Sequence, residues 1–140
     1  MAVENILIDT NAYASFKRGD MASVEIIRSS PFIGINSTVL GELLSGFAVG
    51  NRESLNRGEL EKFLQSSRVK IIAVDHETAE HYAHIYKELR QKGKPIPTND
   101  LWIAATAVQY KLTVFTFDEH FKAVSGIRTG NRLADFVSGV

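Results

Sequence analysis

Apolar residues in this chain fall either in short continuous runs or in stripes at helical spacing. The runs Val-Glu-Asn-Ile-Leu-Ile (3–8), Phe32–Ile35, Val69–Val74 and Leu112–Thr116 have strand length. Val69–Val74 is β-branched and continuous, which predicts a strand covered on both faces. Helices are predicted through residue 17, from about Asp20 to Arg28, from Ser37 or Thr38 to about Ala48, from about Glu53 to Gln65, and over 76–92. One more starts at Thr98. Val39, Leu40, Leu43, Leu44 and Phe47 share one helical face, as do Ala79, Tyr82, Ala83, Tyr86 and Leu89, and then Leu101, Ala104, Ala105 and Val108. Asp20, Asp75 and Thr98 stand where N-caps belong, and Gly50-Asn51 and Gly93 stand at helix ends. A last short strand is expected near Ile127-Arg128. Strands alternating with helices predict an α/β fold, with a central parallel sheet of four to five strands flanked by α-helices.

Composition narrows this picture only a little. The chain has 140 residues, 44% hydrophobic and 23% charged, as expected for one globular domain with its own core. It has no cysteine, so disulfides, thiolate metal sites and a cysteine nucleophile are excluded. Together with the absence of a basic N-terminal leader, this fits a cytoplasmic protein. No apolar run approaches the roughly 20 residues of a membrane span. Sixteen basic residues balance sixteen acidic ones, which by itself does not suggest a nucleic-acid binder.

Four acids interrupt the apolar pattern: Asp9 in Ile-Asp-Thr-Asn, Glu42 in Leu-Gly-Glu-Leu-Leu, Asp100 in Thr-Asn-Asp-Leu-Trp-Ile-Ala-Ala, and Asp118 in Thr-Phe-Asp-Glu-His-Phe. A carboxylate among apolar neighbours is costly to bury unless a cation meets it. Asp9 and Asp118 follow predicted strands, and Asp100 lies in the first turn of its helix. In an open parallel sheet all of these positions face the carboxyl edge, where ligands bind. Glu42 lies one turn inside its helix, nearer the capped end. Each acid also has a plain alternative, as a cap, a dipole partner or a solvated side chain. Oxygen ligands together select Mg²⁺ or Mn²⁺. Two such ions about 4 Å apart catalyse in-line displacement at phosphorus, which points to phosphodiester hydrolysis. With these four charges set aside, the rest of the chain carries a surplus of four positive charges.

Other features carry less. His81 and His84 share a helical face but have no third ligand nearby in sequence. His120 serves in packing or capping as readily as in substrate contact, and Trp102 reads as core or interface. Lys17, Arg18, Arg52, Arg57, Lys92 and Lys94 could follow phosphates or simply be solvated. No nucleophile elbow, P-loop or dinucleotide fingerprint is present.

In this order, Asp-Thr-Asn, Glu-Leu-x-x-Gly, Ile-Pro-x-Asn-Asp-x-Trp-Ile-Ala-Ala and Leu-x-x-x-Thr-x-Asp-x-His-Phe resemble the PIN domain, and most closely the VapC-type toxins of bacterial toxin–antitoxin pairs. The resemblance spans about residues 3–136 and includes Arg52, Asn56-Arg57, Leu60 and Phe63-Leu64. It implies a single PIN-like domain over 1–140 and a Mg²⁺- or Mn²⁺-dependent endoribonuclease held inactive by a cognate antitoxin. Asp9, Glu42, Asp100 and Asp118 match the family's acidic set, with Asp9 and Asp100 the firmest ligands. Thr10, Asn11, Asn99 and Thr116 match polar positions that orient ligands or touch phosphate. Water activated by metal would leave 5′-phosphate and 3′-hydroxyl ends. A homodimer is expected, with tRNA or rRNA loops as substrates and no membrane partner. Two competing readings are a catalytically silent RNA- or antitoxin-binding module and a phosphatase with Asp9 as nucleophile. The phosphatase is disfavoured because Asn11, not an acid, stands two residues after Asp9.

Overall fold

A computed structural model describes residues 2–138. Five strands form one sheet: β1 (Ile6–Ile8), β2 (Ile33–Asn36), β3 (Val69–Ile72), β4 (Thr113–Phe115) and β5 (Thr129–Gly130). Their order is β3-β2-β1-β4-β5, and every pairing is parallel. Six α-helices accompany them: α1 (Thr10–Lys17), α2 (Met21–Ser29), α3 (Ser37–Val49), α4 (Glu53–Leu64), α5 (His76–Lys92) and α6 (Thr98–Tyr110). Short 3-10 helices follow at Glu119–Ala123 and Leu133–Phe136. None of the described helices is long and apolar enough to cross a membrane.

β1 is the centre of the molecule. Ile6, Leu7 and Ile8 are wholly buried between β2 and β4, as three consecutive apolar residues must be in a strand covered on both faces. The chain leaves β1 toward β2 and β3, then crosses back to lay β4 on the other side. The boundary between β1 and β4 is therefore the switch point of the sheet, where loops diverge and leave a crevice.

Several expectations need correction. β3 is an edge strand, and Lys70 and Ile71, which point to opposite faces, are both exposed, so neither face of its apolar run is fully covered. The final strand lies at Thr129–Gly130, just beyond the expected Ile127-Arg128. Asn36, rather than Ser37 or Thr38, caps α3, because its side-chain oxygen reaches Val39 N at 3.0 Å. Thr98 is the first residue of α6 and makes no capping bond. On α5 the buried stripe is Thr78, Ile85 and Leu89, with Tyr82 packed beside it. Ala79, Ala83 and Tyr86 are exposed. Two stripes lie side by side on that helix, and α6 packs against it over the one with branched side chains. Asp20 and Asp75 cap as expected, and Gly93 ends α5 at φ 67°.

Candidate active site

The sheet brings the ends of β1, β2 and β4 to one edge. Asp9 follows Ile8 directly and caps α1, its Oδ1 accepting from Ala12 N at 3.0 Å. At 4% exposure it is the most buried of the four acids. Its other oxygen accepts from the Thr116 hydroxyl, and that same hydroxyl accepts from Asp118 N at 2.9 Å. Thr116 thus ties the loop after β4 to the end of β1. Asn11 makes a second tie, accepting from Phe117 N at 3.2 Å.

Glu42 on α3 is held at both oxygens. Thr10 Oγ1 donates to Oε1 at 2.5 Å, and Asn99 Nδ2 donates to Oε2 at 3.0 Å. Asp100, one residue after Asn99, lies within reach of His120, whose Nδ1 is 3.2 Å from Asp100 Oδ2 and 3.0 Å from Asp118 Oδ1. Asp118 also caps the 3-10 helix that follows it, accepting from His120 N at 2.9 Å.

Charge confirms the proximity that these bonds imply. Burial pushes the Asp9 carboxyl up to about 6, against hydrogen bonds from Thr116 and Ala12, and the charges of Asp100 and Asp118 push it further. Asp100 is also raised, first by burial, with the His120 bond opposing and Asp118 and Glu42 adding repulsion. Each of the four acids is therefore in electrostatic contact with at least one other. They are not equally close. Among the described residues, the His, Asp and Glu donor atoms that gather within 4.8 Å of one another come from Asp100, Asp118 and His120. Asp9 and Glu42 face that group from the β1 and α3 sides. Two acids raised first by burial and then by the charge of neighbouring acids, in a set made mainly of carboxylate oxygens, fit a hard divalent cation.

Residues 6–127 match the PIN domain family. The chain belongs to that family. Ribonuclease VapC2 of Rickettsia felis is 32% identical to this PIN domain, over 86% of this chain and 92% of that protein. Two solved structures share its architecture at a TM-score of 0.79 each. One is VapBC2 from Rickettsia felis bound to a DNA fragment from their promoter, 27% identical over 91% of this chain and 98% of that one. The other is DNA-bound VapBC from Salmonella typhimurium, 28% identical over 93% and 98%. This PIN domain is of the VapC type.

Around the acids of this PIN domain, two residues carry more than their sequence suggested. Asn36 is fully buried at the end of β2, where it caps α3 and also donates to Thr106 Oγ1 on α6 at 3.0 Å. It links the helix of Glu42 to the helix of Asp100. The signal was a polar residue closing the run Phe-Ile-Gly-Ile-Asn, but the adjacent Ser37 and Thr38 offered equally good caps. Asn36→Ala should cost about 2–3 kcal/mol, from a lost cap and a buried hydrogen bond. Urea unfolding measures it, and a loss within about 0.5 kcal/mol, the range of neutral surface changes, would refute the link. His120 is the second such residue, because its ring meets two of the acids.

The remaining candidates lie elsewhere. Among the described residues, His81 and His84 belong to no group of metal-ligand spacing. Trp102 packs on Tyr82 with ring centroids 4.2 Å apart, a structural contact between α5 and α6. Lys17 pairs with Glu59 at 2.9 Å, and Lys92 donates to the Ala123 carbonyl at 3.1 Å.

Proposed function

We propose that this PIN domain is a divalent-metal-dependent endoribonuclease, the toxin of a toxin–antitoxin pair. The observation that carries this reading is the convergence of Asp9, Glu42, Asp100 and Asp118, from four separate segments, on the switch-point edge of the sheet. The likeness to Ribonuclease VapC2 supports RNA as the substrate.

Asp9, Glu42, Asp100 and Asp118 would hold Mg²⁺ or Mn²⁺, with Glu42 tied beside Asp100 through Asn99. Such a cation supplies a nucleophile from water at neutral pH and stabilises the charge that develops at phosphorus. The protein's own part is positioning. Thr116 fixes Asp9 and the Asp118 backbone through one hydroxyl, and Thr10 and Asn99 hold Glu42, so the Asp9 and Glu42 carboxylates are positioned before substrate arrives. Neutralised acids leave the surplus of four positive charges to receive a polyanion. The expected products carry 5′-phosphate and 3′-hydroxyl ends, and single-stranded tRNA or rRNA loops suit recognition by shape and splayed bases.

A cognate antitoxin and a second copy of the chain are the partners this reading brings. Exposed apolar side chains at Met21 on α2, Leu55 on α4 and Tyr86 on α5 provide surface for such contacts. The test is cleavage of a loop-containing RNA with Mg²⁺, with excess chelator, and by Asp100→Asn. Cleavage is expected in the first case alone. Undiminished cleavage in chelator would sink the metal mechanism. No cleavage by the intact protein with either ion, on any RNA offered, would favour a silent binding module.

A further inference from the structure

His120 is placed oddly for a surface histidine. The short 3-10 turn that carries it is held at both ends, at Asp118 by its capping bond to His120 N and at Phe121 by complete burial. That turn sets Nδ1 between two carboxylate oxygens, at 3.2 Å from Asp100 and 3.0 Å from Asp118. One ring nitrogen offers either a single hydrogen or a single lone pair. A single hydrogen shared between both oxygens makes two bent, weaker bonds in place of one good one. Both spacings do, however, match adjacent donors on an octahedral cation, which lie about 3 Å apart when the bonds are roughly 2.1 Å.

We propose that His120 is a nitrogen ligand, completing with Asp100 and Asp118 a mixed site that favours divalent transition ions such as Mn²⁺ over Mg²⁺. This rests on reading the acids as a metal site, and it alters the expectation of an all-oxygen ligand set. Imidazole binds first-row transition ions well, whereas Mg²⁺ prefers oxygen and gives up its water reluctantly. With Nδ1 ligating, the ring carries its hydrogen on Nε2, which faces away from the carboxylates.

The experiment is direct binding of Mn²⁺ and Mg²⁺ by calorimetry, with electron spin-echo modulation of the Mn²⁺-loaded protein, in wild type, His120→Ala, His120→Gln and Asp100→Asn. Wild-type Mn²⁺ spectra should show coupling to a coordinated ¹⁴N, absent in both His120 variants. His120→Ala should weaken Mn²⁺ on the order of 10-fold while changing Mg²⁺ by less than about twofold. His120 is 53% exposed, so neither substitution of it threatens folding. Wild type that binds Mn²⁺ without nitrogen coupling, with the same Mn²⁺/Mg²⁺ ratio in His120→Ala, overturns this inference and leaves the acid site standing. Binding of neither ion by wild type, or full binding by Asp100→Asn, overturns the metal reading itself.

Discussion

Replacing Asp9 by Asn is expected to reduce RNA cleavage to background and, in the metal-free protein, to raise thermal stability. The two effects have one cause. Asp9 is buried beside Asp100 and Asp118, and its carboxyl is pushed up to about 6 from an ordinary value of 3.8. The folded state therefore holds this proton more tightly than the unfolded chain does. Below both values the group costs nothing. As pH rises from 3.8 through about 6 the charge must be buried, and stability falls until the penalty is complete above that range. The difference corresponds to at most about 3 kcal/mol. Asn keeps the capping oxygen for α1 without the charge, and a gain of that size moves Tm by roughly 5–10 °C in a chain of this length. Metal-free wild type should accordingly be more stable at pH 5 than at pH 7.5, and Asp9→Asn should flatten that slope. Saturating Mn²⁺ should stabilise wild type far more than the variant. Scanning calorimetry at the two pH values, with and without metal, measures all of this. A variant that melts below wild type at pH 7.5 without metal would show that the buried charge is not the dominant cost.

Phe121→Ala should cost about 3–5 kcal/mol and damage the site as well as the core. Phe121 is wholly buried, yet it belongs to a five-residue 3-10 helix with little hydrogen bonding of its own. Its ring anchors the turn that presents Asp118 and His120. The truncated variant should lose stability in urea and also bind metal more weakly, because two donors lose their fixed positions. Phe121→Leu should recover most of both. Stability within about 1 kcal/mol of wild type for the alanine variant would mean that the turn is held by something else.

Much of this architecture could be read from the chain because local and tertiary preferences agree. β1 is legible in Ile-Leu-Ile and α5 in Asp75 and Gly93, since the caps and the apolar period point to the same boundaries. The parallel order follows from alternation, and the placement of Asp9, Asp100 and Asp118 follows from the sheet edge they end on. The failures have a different origin. Which stripe of α5 is buried depends on which face α6 occupies, and α5 carries apolar side chains on more than one face. Ile71 looked like core because composition does not reveal that β3 has no neighbour on one side. Asn36 and His120 act on residues 70 and 20 positions away in sequence, and no local pattern encodes such a partner.

The bond from Thr116 to Asp9 spans 107 positions, and β1 pairs with β4 along its whole length, from Ile6 with Thr113 to Ile8 with Phe115. Contacts so distant in sequence close late in folding, after the chain between them has formed its own local structure. During synthesis the first acid emerges early and waits for the last. Until β4 and the loop after it have left the ribosome and docked, Asp9 lacks both Thr116 and Asp118, and the nascent chain holds no assembled centre. The order of translation itself therefore delays assembly of the centre until β4 and the loop after it are made, and a fragment ending before Thr113 lacks both Thr116 and Asp118.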